Sequence, residues 1–332
     1  MHLRPSVHPF FGAPTLADDG EDASAFAYIG VPLGSPYDVE GVYSAASEAP
    51  EHVREMSWEQ EYLGDRETDD FEYYDFDLGG PLMPSGRRPD LIDYGDVIGE
   101  PRDLDGTKRF ATQTVRSALD RGAVPLVVGG DHSVTSIVVA AYEGRGPVNV
   151  LHVDAHLDFR DEVDGVRDGY SSPIRRVREM GWVGSIVQVG LRGIGSARAQ
   201  EVREAQDAGN LLVTARELHD NGVEAVLERM ASDAPWYITV DVDGLDPSIA
   251  PGTGYPVPDG VTYHEAATLI GDLAGRGLLA GIDFTEIHPP IDVRGLTALA
   301  VLRLLATAMA RSVRAAGRED RVLPEQLTSV SR

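Results

Sequence analysis

Residues 148–153 read VNVLHV and run without a break into Asp154-Ala155-His156-Leu157-Asp158. The first six residues form a short β-prone run. In an extended chain, side chains at i, i+2 and i+4 point the same way. Asp154, His156 and Asp158 therefore converge beyond a strand end. Two buried acids beside an imidazole repel one another and lose hydration unless a cation joins them. A metal ion resolves that conflict; the bland alternative is a polar strand end open to water.

Outward from this stretch, similar runs recur near 26–31 (FAYIGV), 91–95 (LIDYG), 124–128 (VPLVV), 185–190 (SIVQVG), 210–213 (NLLV), 236–241 (WYITVD) and 279–285 (LAGIDFT). They are apolar without alternation, as in strands covered on both faces. Amphipathic helical patterns occupy 107–122, 196–208, 215–232 and 263–276 between them. Such alternation predicts one parallel sheet with helices on both sides, and sites in that architecture lie at the carboxyl edge. The chain reads as a single domain over 1–332, with an irregular acidic excursion at about 59–90 (FEYYDFD at 71–77, then LGGPLMPSGRRPD). A lid, an interface element and a plain insertion all fit that excursion.

Composition narrows the chemistry. The 332 residues carry 29 basic and 54 acidic side chains, a net charge of −25. That excludes nucleic acid and anionic membrane surfaces as expected partners, because phosphates need basic patches. The sequence has no cysteine, so any metal site must use His, Asp and Glu. The N-terminal MHLRPSVHPF lacks the basic-then-apolar pattern of a signal peptide. The apolar stretch from Leu296 to Val313 carries Arg303 and Arg311 and reads as an amphipathic helix rather than a membrane span. A cytoplasmic location is the expectation.

Three further clusters follow strand-like runs. Asp241-Val242-Asp243 repeats the i, i+2 placement of two acids, and Asp246-Pro247 then opens a Gly/Pro-rich loop whose turn Asp246 shapes. Gly129-Gly130-Asp131-His132-Ser133 presents His132 at a sharp turn, with Asp131 orienting or capping. His132, Asp154, His156, Asp158, Asp241 and Asp243 exceed what one catalytic ion needs, and suit two ions roughly 3.5–4 Å apart with bridging carboxylates. An oxygen-rich set without thiolates favours Mn²⁺ and also accommodates Ni²⁺, Co²⁺ or Fe²⁺. In GIDFTEIHPPID (281–292), Glu286 is placed to pair with a planar cation such as guanidinium. Asp283 reads as a strand residue orienting neighbours, and His288 as structural.

GGDHS (129–133), DAHLD (154–158), DVDGLDPSIAPGTG (241–254) and GIDFTEIHPPID (281–292) resemble, in order, the four signature segments of the ureohydrolases, the arginase–agmatinase family. Weaker resemblance runs from Gly30-Val31-Pro32 through EAPEHVR (48–54) to the C-terminal helix. The resemblance implies a three-layer α/β/α fold around a mainly parallel eight-stranded sheet, two manganese ions per subunit, and homotrimers or homohexamers. By position, His132 and Asp158 would hold one ion, His156 and Asp243 the other, and Asp154 and Asp241 would bridge. Glu286 matches the glutamate that receives a guanidino group. Asp158 would accept a hydrogen bond from the attacking water and take its proton.

Four segments depart from the family pattern. Where it has a His-Gly-Ser/Thr-Pro segment, this chain has Tyr170-Ser171-Ser172-Pro173, so a histidine proton shuttle is replaced by a phenol with an ordinary pKa near 10. The loop that grips arginine's amino and carboxylate groups is not recognisable in RDEVDGVRDGY (160–170), which speaks against arginine. Tyr255 adds a ring at the pocket rim. The segment 35–50, SPYDVEGVYSAASEAP, differs from the glycine-rich family version. The expected function is an agmatinase-like C–N hydrolase of a guanidino small molecule, releasing urea. Tyr170 and Tyr255 join Glu286 as expected substrate contacts. The alternatives are a formimidoyl hydrolase and a catalytically weak regulatory member.

Overall fold

The computed structural model describes residues 3–16, 23–33, 37, 45–60, 64–65, 68–99, 103–230, 234–317 and 322–328. Most of the variant segment at 35–50 lies outside them, Tyr37 and 45–50 excepted. Strands are β1 (Leu3–Arg4), β2 (Phe26–Val31), β3 (Leu91–Val97), β4 (Val124–Gly129), β5 (Val148–Val153), β6 (Val183–Leu191), β7 (Leu211–Thr214), β8 (Trp236–Asp241) and β9 (Leu279–Thr285). Helices are α1 (Ala49–Glu59), α2 (Leu104–Asp120), α3 (Val134–Val139), α4 (Pro173–Arg178), α5 (Ala199–Asp207), α6 (Ala215–Asn221), α7 (Val223–Leu227), α8 (Tyr263–Gly275), α9 (Leu296–Ala316) and α10 (Glu325–Thr328).

All nine strands form one sheet in the order β1-β3-β2-β4-β9-β8-β5-β6-β7. The eight strands expected from sequence are present and mutually parallel. The expected count of eight is corrected to nine by β1, two residues pairing antiparallel with β3. β2, β4, β5, β8 and β9 are buried along their whole length, which explains their unbroken apolar character. One helical layer packs α1, α8 and α9 together; α2, α3 and α4 pack together in the other.

The sheet register places the site. Val153 pairs with Val240, Val240 with Phe284, and Phe284 with Val128. One step along, the carboxyl ends of four neighbouring strands therefore present Asp154, Asp241, Thr285 and Gly129 in one row. The first three motifs begin at that row, and the fourth crosses it at Thr285.

Helix ends follow local signals. Thr262 and Glu265 form a reciprocal capping box at α8, and Thr214 and Glu217 another at α6. Asp292, last residue of the fourth motif, accepts the Thr297 and Ala298 N–H groups at 2.8 and 3.0 Å and so caps α9. Thirteen residues of α9 are buried, so its apolar length serves the core. The excursion is held to α9 by Arg303 on Asp75 (2.6 Å) and by Arg314 on the carbonyls of Pro81 and Leu82. Phe71 and Met83 fix it further by burial.

Candidate metal centre and active site

Asp154 sits at the centre of a polar cluster inside an otherwise apolar core. Its Oδ1 lies 3.4 Å from His156 Nδ1, and its Oδ2 lies 3.1 Å from His132 Nδ1. Asp158 and Asp241 approach the same His132 nitrogen at 2.9 and 3.3 Å. Asp243 lies 3.0 Å from His156 Nδ1. Ligand atoms of His132, His152, Asp154 and Asp158 fall within 4.8 Å of one another, and those of Asp154, His156 and Asp243 form a second such set. Asp154 belongs to both. Asp241 stands against the first set, and its Oδ1 accepts the Asp243 N–H at 2.9 Å. All six residues expected from sequence are thus brought together.

Two close approaches permit this. A Cβ on Gly130 would lie 1.8 Å from the Leu33 carbonyl oxygen, and one on Gly244 would lie 2.6 Å from the Asp154 backbone. Only glycine fits where the His132 turn and the loop after Asp243 press on neighbouring backbone. Asp158 and Glu286 both adopt left-handed backbone, at φ 50° and 62°. Non-glycine residues there are strained and cluster at functional sites.

Hydrogen bonding settles how His132 is used. Thr135 donates to Asp283 Oδ1 at 3.2 Å, so it accepts from Thr239 at 2.8 Å. Thr239 in turn accepts from His132 Nε2 at 3.1 Å. On the neutral ring Nδ1 is therefore a buried lone pair surrounded by three carboxylate oxygens; burial opposes a charge there, yet Asp154, Asp158 and Asp241 raise His132 well above its ordinary value and draw a proton to that place. Lone pair against carboxylates is repulsive unless a cation lies between them. The protonation equilibria carry the same strain. Burial raises Asp158, Asp241 and Asp243, each pushed further by a neighbouring carboxylate; Asp243 reaches about 7. Burial would also raise Asp154, but the imidazoles of His152, His132 and His156 hold it well below the carboxylate range. Burial alone would lower His156, yet Asp154 and Asp243 push it up to about 12. Protons are drawn to the places divalent cations would fill, and the donor set fits them.

His152 escaped the sequence reading. It stands two residues before Asp154, the same spacing that revealed the other ligands, but inside the strand. Its Nε2 meets Asp154 Oδ2 at 2.8 Å, and its Nδ1 meets Gln188 Nε2 at 3.0 Å. Gln188 also donates to the Leu157 carbonyl at 2.8 Å and accepts from Asn210 at 2.9 Å. That chain fixes the Nε2–H tautomer of His152, which orients Asp154.

Glu286 is held by the His132 N–H at 3.0 Å and by His288 Nε2 at 3.2 Å. His288, expected to be structural, therefore braces a site carboxylate. Asp283 is a buried strand residue that also accepts from Tyr237 at 2.6 Å, as its sequence position implied. Asp246 accepts from Ser248 and Gly260 N–H groups at 3.0 Å and shapes its turn.

A cavity of about 490 Å³ opens over the cluster, and Asp158, Asp241, Asp243 and Glu286 lie in its lining. Tyr170 and Tyr255 lie in its wall, as expected, and Tyr37 and Arg160 join them. The Tyr37 and Tyr170 rings are 4.6 Å apart, and Tyr37 Oη accepts the Ser171 N–H at 2.9 Å. Burial, with Tyr255 and Tyr37 nearby, holds the Tyr170 phenol above its ordinary value. None of the described residues of the acidic excursion lines the cavity; those residues pack on α9 instead.

Residues 26–310 match the sequence profile of the Arginase family. The chain belongs to the arginase family. A mitochondrial agmatinase of Gallus gallus is 36% identical over 221 residues, 65% of this chain and 64% of its own. A guanidinopropionase of Pseudomonas aeruginosa is 36% identical over 233 residues, 66% of this chain and 73% of its own. The match thus spans somewhat under two thirds of the agmatinase's length. Proclavaminate amidino hydrolase from Streptomyces clavuligerus superposes with a TM-score of 0.72 at 27% identity, covering 93% of this chain and 98% of its own. The arginase-family α/β fold is therefore shared along nearly the whole length of this protein.

Proposed function

We propose that this protein is a binuclear-metal amidinohydrolase that cleaves a C–N bond of a guanidino compound and releases urea. The observation that carries the reading is the bare His132 Nδ1 amid three carboxylates, next to a second set that shares Asp154. Relatives named agmatinase, guanidinopropionase and guanidinobutyrase support the guanidino class. His132 and Asp158 would hold one ion, His156 and Asp243 the other, with Asp154 and Asp241 between them; Mn²⁺ is the proposed metal. When bound, the two cations supply Lewis acidity and make water nucleophilic near neutral pH.

The chain's own residues supply the rest. Glu286, braced by His132 and His288, presents a carboxylate to the planar guanidinium. Asp158, on its strained backbone at the cavity floor, accepts the proton of the attacking water. Asp158 then passes that proton to the departing nitrogen, the C–N bond breaks, and the hydroxyl's remaining proton leaves with the amine as an ammonium ion, giving urea. Tyr170 stands where the family has a histidine; its raised phenol makes it a hydrogen-bond donor to the leaving group rather than a neutral-pH shuttle.

That substitution also favours a second reading, hydrolysis of a formimidoyl group. Product analysis separates the two: urea supports the first, formamide the second. Asp154→Ala should abolish both metal loading and turnover; activity surviving in that variant would refute the site assignment.

A further inference from the structure

One side chain among the described residues that line the cavity is a permanent cation. Among the lining residues Arg160 alone is Lys or Arg, opposite an acidic floor of Asp158, Asp241, Asp243 and Glu286. Its backbone is fixed: the Arg160 N–H donates to the Ser171 carbonyl at 3.1 Å, which puts it on the same wall as Tyr170. Its side chain is less committed. The side chain is 30% exposed, and its ionic neighbour among the described residues is Glu201, at 3.8 Å, beyond hydrogen-bond reach. Glu201 meanwhile accepts the Arg198 N–H at 2.7 Å and so caps α5. The arginines just outside the cavity are engaged differently: Arg176 meets Asp161 and Glu179 at 2.8 and 3.0 Å, and Arg175 pairs with Glu204. A half-buried guanidinium with free donors, facing a substrate cavity, is a ready fork for a carboxylate.

We propose that the substrate is an ω-guanidino carboxylate, its guanidinium on Glu286 and its carboxylate on Arg160. This rests on the amidinohydrolase reading above and specifies its substrate class. Asp164 and Glu201 are the competing anchors on that rim, and they would favour a terminal ammonium. Asp164 is exposed, where an ion pair contributes little, and Glu201 already serves α5. A diamine-type substrate would bring its ammonium against Arg160 and be disfavoured by like charge.

The test compares 4-guanidinobutyrate with agmatine on the metal-loaded full chain and on Arg160→Met and Arg160→Glu. Urea release is read alongside calorimetric binding of 4-guanidinobutyrate to the metal-free proteins. Wild type should favour 4-guanidinobutyrate at least tenfold in kcat/KM. Arg160→Met should lose about tenfold or more on that compound, mainly through KM, should improve agmatine by removing the like charge, and should weaken 4-guanidinobutyrate binding to metal-free protein in parallel. Arg160→Glu should invert the preference. Preference for agmatine in wild type, or equal losses on both compounds, overturns the assignment. Binding that depends on Arg160 without urea from either compound upholds the carboxylate subsite and overturns the amidinohydrolase reading.

Discussion

His152 donates to Asp154 at 2.8 Å while its other nitrogen accepts from Gln188, so one proton position orients the carboxylate shared by both ligand sets. Outer partners of this kind are worth about 10–100-fold in metal affinity. His152→Leu and Gln188→Leu should each weaken Mn²⁺ binding by about that factor, the second because the tautomer is no longer fixed. Electron paramagnetic resonance of free Mn²⁺ measures this without turnover, and unchanged affinity in both variants would remove the role assigned to the chain. The six ligands were legible because acids at i, i+2 and i+4 past an apolar run have few structural uses. His152 was not, because the same spacing continued backwards into a strand where a histidine looks like any buried residue. His288 and Arg160 were hidden for other reasons: the left-handed backbone at Glu286 brings His288 back onto its neighbour's carboxylate, which spacing alone does not show, and Arg160 depends on a cavity wall shared with Tyr37, distant in sequence.

Between elements, α1 is fastened to β3 by a buried ion network. Arg54 is fully buried and meets Asp93 at 2.9 and 3.1 Å and Asp96 at 2.6 Å. Arg54→Met would leave buried Asp93 without its cation and Asp96 with Arg4 alone, at a cost of about 3–5 kcal/mol. The denaturant midpoint should fall accordingly, and a shift equivalent to under 1 kcal/mol would contradict that burial. A pH-sensitive contact joins α6 to α8, where His219 Nδ1 and Glu265 Oε1 are 2.9 Å apart. Despite some desolvation, Glu265 raises His219 above its ordinary value; Glu265 is lowered by Thr262 and His219 despite burial. A raised histidine contributes stability that is complete below about 6.5 and fades as pH climbs through its folded value. A lowered glutamate contributes above about 4.3 and fades in acid. His219→Ala should thus cost up to about 1 kcal/mol near pH 6 and almost nothing near pH 10. Equal losses at both pH values in thermal unfolding would count against the pair. The eight parallel strands were legible as uninterrupted apolar runs. β1 was not, since two residues carry no period, and the helix expected over 215–232 divides at Gly222, whose φ of 81° ends α6 before α7 begins.

At the scale of the molecule, the cluster joins β4, β9, β8 and β5, the middle of the sheet. Cation binding should therefore stabilise the whole chain. Ligand present at 100 times its dissociation constant contributes about 2.7 kcal/mol. Chelation should lower Tm by several degrees, Mn²⁺ should restore it, and Asp154→Ala should respond to neither; a chelation response retained in that variant would place the metal elsewhere. Homotrimers or homohexamers are the proposed assembly, and light scattering of the metal-loaded protein would give a mass three or six times that of one chain. The whole-molecule features least legible in sequence were the excursion's packing against α9 and the cavity wall, because both join segments far apart in the chain. The most direct measurement is urea release by Mn²⁺-loaded protein across agmatine, 4-guanidinobutyrate, 3-guanidinopropionate, arginine and guanidine. Urea from at least one guanidino acid, abolished by Asp154→Ala, is the expected result; no urea from any compound, with two metal ions bound per chain, would contradict it.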